Sequence, residues 1–248
     1  YLYFNFSGYV DVVVGVARFF RIELPENFDR PFSSENFISF WNRWHMSLSN
    51  WLKTYVYNPL LKAGLARITS AELSPYVAIV AFFVTFFLVG LWHGQTSEFL
   101  FFGFLQGFGV AGNRFYQFLA QERLGRAAYR ALTAKAVYRA CTRGLTFTWF
   151  AFTLLWFWSS WAQIHDLVSA LGWAALAFTW GAIFVAATLV LAGMEVAMNA
   201  SLRMTWGSAP VLRSAYVRAA WSAVVLVAIV VLTARLDSPP PDLVYKMF

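Results

Sequence analysis

The stretch Tyr76–Trp92 reads Tyr-Val-Ala-Ile-Val-Ala-Phe-Phe-Val-Thr-Phe-Phe-Leu-Val-Gly-Leu-Trp and is followed directly by His93 and Gly94. It contains no charged side chain, and its length approaches the roughly 20 residues that an α-helix needs to cross a bilayer. A titratable imidazole beside such an apolar run costs free energy to keep there, which makes it a candidate functional group. The stretch therefore predicts a membrane-spanning helix with a polar group at one end.

The composition extends this prediction to the whole chain. Of its 248 residues, 60% are hydrophobic, 20% are aromatic and only 12% are charged, whereas a soluble domain carries about 25% charged residues. The net charge of +7 does not indicate nucleic-acid binding, because the basic residues lie between apolar runs rather than along one face. We therefore expect a multi-pass integral membrane protein, surrounded by lipid and without a nucleic-acid partner.

Apolar runs of similar length recur along the chain. The predicted spans are Tyr76–Trp92, Glu98–Leu119, Leu145–Ala162, Leu171–Met194 and Tyr216–Ala234, with a sixth, Tyr1–Phe20, truncated or broken by Asp11. Lysine and arginine are frequent in 21–75 and 120–144 but absent from the links 94–97 and 163–170. Because cytoplasmic loops carry the excess of basic residues, 21–75 is predicted to be cytoplasmic, and both short links and the C-terminal tail to lie outside. The predicted fold is all-α, a polytopic transmembrane bundle of five or six helices with interfacial amphipathic helices in 21–75.

A second histidine, His45, lies in the cytoplasmic region within the segment Asn36–Tyr57. This segment is too polar to span a membrane, but its apolar residues follow helical spacing: Phe37, Trp41, Trp44, Leu48, Trp51, Leu52 and Tyr55. The sequence predicts that Ser33 or Ser34 caps the start of this helix and that Asn58-Pro59 ends it. On one continuous helix, His45 projects from the apolar face towards protein or membrane.

Each histidine has two interpretations when taken alone. His93 is either a general base that takes a proton from an incoming hydroxyl, with Gly94 allowing a close approach, or an interfacial side chain beside Trp92. His45 is either a partner in this chemistry or a histidine packed on a helix face. The third histidine, His165 beside Asp166, has no identifiable nucleophile nearby and is interpreted as a solvated loop residue.

Several other kinds of chemistry have no support in the sequence. The only cysteine is Cys141, so neither an intrachain disulfide nor a cysteine cluster for zinc is expected. The chain has no Walker A loop, no dinucleotide-binding glycine pattern, no His-Glu-x-x-His and no Gly-x-Ser-x-Gly elbow. We therefore expect no metal site and no tightly bound cofactor.

Four blocks of the sequence stand out by their order and spacing. They are Phe4-Asn5-Phe6-Ser7-Gly8-Tyr9, then Leu24-Pro25-Glu26-Asn27-Phe28-Asp29-Arg30-Pro31-Phe32, then Phe40-Trp41-Asn42-Arg43-Trp44-His45-Met46-Ser47-Leu48-Ser49, and finally Gly90-Leu91-Trp92-His93-Gly94. Together they resemble the membrane-bound O-acyltransferase family, in its bacterial branch of alginate O-acetylation and teichoic acid D-alanylation. The resemblance implies that 1–248 is the C-terminal part of one such membrane domain, with helices around a central tunnel.

The resemblance also implies roles for individual residues. His93 matches the catalytic histidine of the family and would act as general base, and His45 matches a second histidine in the preceding block. The tunnel would be lined, and water excluded from it, by Trp41, Trp44 and Trp51. Two further residues, Arg43 and Trp92, would contact the substrate. From its position alone, Arg43 is also explained as a contact to anionic lipid.

The implied reaction is acyl transfer across the membrane. A thioester donor, acetyl-CoA or an acyl carrier protein, would enter from the cytoplasmic side, and hydroxyls of an exported polysaccharide such as alginate would be acylated outside, with or without a periplasmic acetyltransferase as partner. Two alternatives stay open: a non-catalytic membrane subunit of a polysaccharide export complex, and a transporter in which His45 and His93 relay protons.

Overall fold

The computed structural model describes residues 1–68, 70–203, 205–206 and 209–210. The described chain is helical apart from one antiparallel pair of two-residue strands, β1 (Thr205–Trp206) with β2 (Ala209–Pro210), which confirms the predicted all-α class. It divides into two compact units, one that contains residues 1–16 and the described residues after 191, and the other formed by the described residues of 17–191. The predicted span Tyr216–Ala234 lies outside the described residues.

The helices follow one another with short links, except for residues 20–36 between the first two. In chain order they are α1 (Leu2–Phe19), α2 (Phe37–Trp41), α3 (Met46–Leu52), α4 (Asn58–Arg67), α5 (Ser74–His93), α6 (Ser97–Leu124), α7 (Arg126–Thr133), α8 (Ala136–Thr153), α9 (Leu155–Trp158) and α10 (Trp161–Arg203). A 3-10 turn covers Pro31–Ser33, and a π-helical segment, Lys53–Tyr57, joins α3 to α4.

Two of the described helices are long and apolar enough to cross a membrane. They are Ser74–His93, which is α5, and Trp161–Ala200 within α10. In α10, a left-handed Gly172 (φ 76°) interrupts the regular helical backbone. The helices α6 and α8 overlap the other predicted spans but are not among the two. Of the predicted spans that fall within the described residues, two therefore have a helix of membrane-spanning length and composition, and the number of passes stays a prediction.

Three boundaries differ from the sequence prediction. The helix α1 continues through Asp11, which was predicted to truncate or break it. The predicted link 163–170 is helical and forms the first part of α10. Asn58-Pro59 does not end the helix, because the helical backbone runs from α3 through the π-helical segment Lys53–Tyr57 into α4, with the Asn58 N–H donating to the Lys53 carbonyl oxygen.

Helices α5 and α6 form the most extensive helix pair of the described chain. A Cβ atom at Gly90 would collide with the Phe99 carbonyl oxygen and with Gly103, and one at Gly103 would collide with the Phe87 carbonyl oxygen. Small residues at such a contact let two backbones approach closely, as is common between membrane helices. This approach places the C-terminal end of α5, which carries His93, against the start of α6.

The segment before α2 is attached to α8 by charged groups. Arg143 has a buried side chain whose Nε donates to the Ser33 carbonyl oxygen at 3.2 Å and whose Nη2 lies 3.7 Å from the Glu35 carboxylate. The Nε atom of Arg139 donates to the same carboxylate at 2.6 Å. A guanidinium is tolerated in the interior when its donors are used in this way. The two arginines therefore hold the start of α2 beside α8.

Candidate functional site

His45 lies in a turn between α2 and α3 and not on the face of a continuous helix, so the predicted helix Asn36–Tyr57 is wrong between residues 42 and 45. Its backbone is left-handed, with φ 44° and ψ 56°. This conformation is costly for a residue with a side chain and persists only where the surroundings enforce it. The predicted cap is also wrong: Asn36, and neither Ser33 nor Ser34, caps α2 by accepting from the Ser39 N–H at 2.8 Å.

The buried side chain of Asn27 holds this turn in place. Its Oδ1 accepts from the backbone N–H and from the hydroxyl of Ser47, both at 3.0 Å, and lies 3.3 Å from Nδ1 of His45. Its backbone carbonyl oxygen accepts from the Met46 N–H at 2.9 Å. Asn27 belongs to the second sequence block, but nothing in the sequence predicted this contact, because it joins residues on two separate segments.

The contact with Asn27 selects one tautomer of His45. A backbone N–H can only donate, so the Asn27 atom that faces Ser47 must be the carbonyl oxygen and not the amide nitrogen. The Nδ1 atom of His45 faces this oxygen and also the Ser47 hydroxyl, which is 3.4 Å away. Because that hydroxyl gives its hydrogen to Asn27, both neighbours of Nδ1 act as acceptors, and the hydrogen of the neutral ring is placed on Nδ1. The lone pair of the neutral ring therefore lies on Nε2, the arrangement that a base acting through Nε2 requires.

Burial also decides the charge of this side chain. Desolvation lowers the pKa of His45 from 6.5 to about 4, because the apolar surroundings penalise the imidazolium. The ring is therefore neutral near pH 7 and able to accept a proton, although its conjugate acid is a stronger acid than that of an exposed histidine.

His93, the last residue of α5, lies among aromatic rings. The rings of Phe157 and Phe102 lie roughly perpendicular to the imidazole at centroid distances of 4.8 and 5.6 Å, and Phe99 lies nearly parallel to it at 6.2 Å. Gly94 makes room for this arrangement, because a Cβ atom there would collide with the Phe99 ring. The close approach that the sequence predicted for Gly94 is thus made by another segment of the chain.

Trp92 lies against both imidazoles. Its ring is edge-to-face with His45 at 5.9 Å and with the neighbouring His93 at 4.7 Å, and half of its surface is exposed. The structure therefore brings together two histidines from separate sequence blocks, with Trp92 beside them at the edge of the group.

Two of the predicted tunnel tryptophans are buried next to these residues. Trp41 packs on Phe86 of α5 at 5.0 Å, and Trp44 packs on Phe150 of α8, also at 5.0 Å. Both belong to an aromatic cluster that includes Phe40, which is fully buried. The cluster joins the His45 turn to α5 and α8 and excludes water from that side.

The remaining predicted residues lie further out. Nη1 of Arg43 donates to the Ser33 hydroxyl at 2.9 Å. Trp51 is 56% exposed, packs on Tyr55 at 5.4 Å and makes no ring contact with either imidazole. His165 is exposed beside Asp166 in α10. Among the residues that the structure describes, no group of three or more His, Cys, Asp or Glu side chains has a metal-binding arrangement.

Comparison with known proteins assigns residues 1–157 to a family model described as the membrane-bound O-acyltransferase family. The chain is 41% identical over 115 residues to a peptidoglycan O-acetyltransferase of Helicobacter pylori, a match that covers 46% of the chain and 20% of the relative. It is 39% identical over 103 residues to a teichoic acid D-alanyltransferase of Bacillus subtilis, covering 42% and 26%. It is 35% identical over 113 residues to a probable alginate O-acetylase of Pseudomonas aeruginosa, covering 46% and 20%. The matched segment thus spans about a quarter or less of each of these relatives.

Proposed function

Because the chain belongs to the membrane-bound O-acyltransferase family, we propose that it forms the histidine-bearing part of a multi-pass acyltransferase of the cytoplasmic membrane. One observation carries the proposal: the imidazoles of His45 and His93 both lie against the Trp92 ring, at the end of a membrane-length helix and among aromatic rings. Such a site combines a proton acceptor with surroundings that exclude water, which an activated acyl group requires.

In the proposed reaction, an acceptor hydroxyl attacks the carbonyl carbon of a thioester. His93 removes the hydroxyl proton as the C–O bond forms, and the C–S bond then breaks to release the thiol, which takes up that proton. His45, neutral and with its lone pair on Nε2, is the second histidine of this site and assists the proton movement. Trp41 and Trp44 keep water from the reacting carbonyl, which limits hydrolysis.

The proposed substrates follow the predicted topology and the names of the relatives. The donor is a cytoplasmic thioester, acetyl-CoA or an acyl carrier protein, and the acyl group is acetyl. The acceptor is a hydroxyl of an exported polysaccharide, alginate or another, with a periplasmic acetyltransferase as partner where transfer takes two steps. The relatives named for alginate and peptidoglycan O-acetylation support this choice. The proposal treats residues 1–248 as part of one membrane domain around a tunnel.

Arg43 and Trp51 have different places in this proposal. Arg43, next to the His45 turn, would meet a phosphate of the donor, and Trp92 would contact the substrate at the edge of the site. The exposure of Trp51 suits the membrane interface better than the tunnel wall, since interfacial helices place tryptophan at the headgroup level.

The test is replacement of His93 in the full-length protein. His93→Ala and His93→Gln are expected to lower O-acetylation of the cell-surface polysaccharide by at least about 100-fold, the lower end of what a general base contributes. The control is His165→Ala, because His165 is exposed and lies outside the site. Unchanged acetylation in both His93 variants would contradict the proposal and favour a non-catalytic subunit. Proton flux in reconstituted vesicles that does not depend on an acyl donor would favour a transporter.

A further inference from the structure

Gln106 is a fully buried amide in an otherwise apolar part of α6, between Phe102 and Val110, which are also buried. Its Nε2 donates to Oγ1 of Thr153 at 2.8 Å, and that hydroxyl donates to the Phe150 carbonyl oxygen at 2.7 Å. A threonine hydroxyl has one hydrogen, and here it is used on Phe150, so the hydroxyl can only accept from Gln106. The amide orientation is therefore fixed, with nitrogen towards Thr153 and Oε1 directed elsewhere.

The Oε1 atom of Gln106 has no hydrogen-bond donor among the described residues and is shielded from solvent. A buried acceptor without a donor costs free energy, and an apolar side chain of similar size would fill the position without that cost. Such an atom needs an explanation, and a ligand that brings an N–H or O–H group supplies one.

The position of Gln106 relative to His93 narrows the choice of ligand. The rings of Phe102 and Phe157 both lie roughly perpendicular to the His93 imidazole. Gln106 lies one helical turn after Phe102, and Thr153 lies four residues before Phe157. On the predicted topology, α6 runs from an outer link towards the basic cytoplasmic stretch 120–144. Gln106 is therefore displaced from His93 towards the side from which the thioester donor enters.

We propose that Oε1 of Gln106 accepts a hydrogen bond from the first amide N–H of the pantetheine arm of the acyl donor. This inference rests on the proposed function. Coenzyme A and acyl carrier proteins present the same arm, in which two methylene groups separate the thioester sulfur from the first amide nitrogen. Phe102, one helical turn or roughly 5.4 Å before Gln106 along α6, has its ring centroid 5.6 Å from that of His93. A donor whose thioester lies at His93 and whose arm runs along α6 therefore carries this N–H towards Gln106. The contact involves no bond making or breaking and acts on donor binding.

The experiment compares two donors on the full-length protein in membrane vesicles. One is acetyl-CoA, and the other is an analogue in which an ester oxygen replaces the first pantetheine N–H. Wild-type protein is expected to show a KM about fivefold lower for acetyl-CoA, which is the usual net value of one neutral hydrogen bond. Gln106→Met is expected to show equal KM values for the two donors, with little change in the kcat of either. The same pair of donors carried on an acyl carrier protein shows which source the protein uses.

The matched control is Thr148→Val in α8, which also replaces a buried polar side chain by an apolar one and should keep the fivefold preference. If Gln106→Met does not accumulate, Gln106→Asn keeps the amide but withdraws the oxygen by one methylene, and it should also lose the preference. Persistence of the fivefold preference in either Gln106 variant overturns the inference. If the wild-type protein transfers no acyl group from any thioester, that result instead contradicts the proposed function.

Discussion

Replacement of Asn27 by leucine tests whether the His45 turn controls the chemistry. The change keeps the size of the side chain but removes the oxygen that accepts from Ser47 and His45. Each neutral hydrogen bond contributes about 0.5–1.5 kcal/mol, and water can replace the bonds to the exposed Ser47, so the loss of stability should be near 1 kcal/mol. The loss of activity should be larger than this small loss of stability suggests, because the Nδ1 atom of His45 is no longer held as a hydrogen-bond donor.

We expect acyl transfer by Asn27→Leu to fall about tenfold, less than for removal of the base itself. The assay is acetyl transfer by full-length protein in membrane vesicles, normalised to the amount of folded protein. Asn42→Leu is the control, since it makes the same change at an exposed residue of the same turn. Asn27→Asp keeps the acceptor and should retain most activity, while its carboxylate raises the pKa of His45. Asn27→Leu activity within twofold of wild type would refute the tautomer argument.

Three further predictions concern packing and pH. Gly90→Ala should lower the thermal midpoint in detergent by an amount equivalent to about 1–3 kcal/mol, because its Cβ collides with the Phe99 backbone; an unchanged midpoint would contradict the close packing. Arg143→Leu should destabilise the protein by about 1–3 kcal/mol in the same measurement, through loss of its bond to the Ser33 carbonyl oxygen, and a neutral result would refute the role of that bond. The lowered pKa of His45, about 4, means that protonation favours the unfolded chain, so stability should fall as pH drops from about 6.5 to 4. Activity that depends on neutral His45 should persist to about pH 5, and an acid limb near 6.5 would indicate an exposed imidazole.

The sequence predicted the class of fold because apolar length and composition respond directly to the membrane. It predicted helix ends less well, because the expected effect of a proline or a polar residue was taken from the residue type alone, whereas the actual effect depends on its position in the helix. Pro59 is the clearest case: it was expected to end a helix, but it follows a π-helical segment from which the helical backbone continues into α4. Asp11 likewise does not interrupt α1, since one carboxylate on a helix surface leaves the backbone hydrogen bonds intact.

The two histidines were predicted from their sequence blocks, but their geometry was not. A helical repeat placed His45 on a helix face, whereas Asn27 enforces a left-handed turn there. Only the folded chain brings Asn27 to this turn, so no local pattern could show it. Gln106 was missed for a similar reason, because its isolated oxygen becomes evident only after Thr153 is seen to occupy its nitrogen.

The attachment of the His45 turn to residues before α2 has a consequence for protein engineering. Asn27 sets the backbone of the turn, and Ser33 accepts from both Arg43 and Arg143. A histidine block moved alone into another member of the family would therefore lose the supports that shape it. A functional chimera should exchange residues 24–157 as one cassette, and junctions placed inside that interval should yield protein that inserts into the membrane but transfers no acyl group.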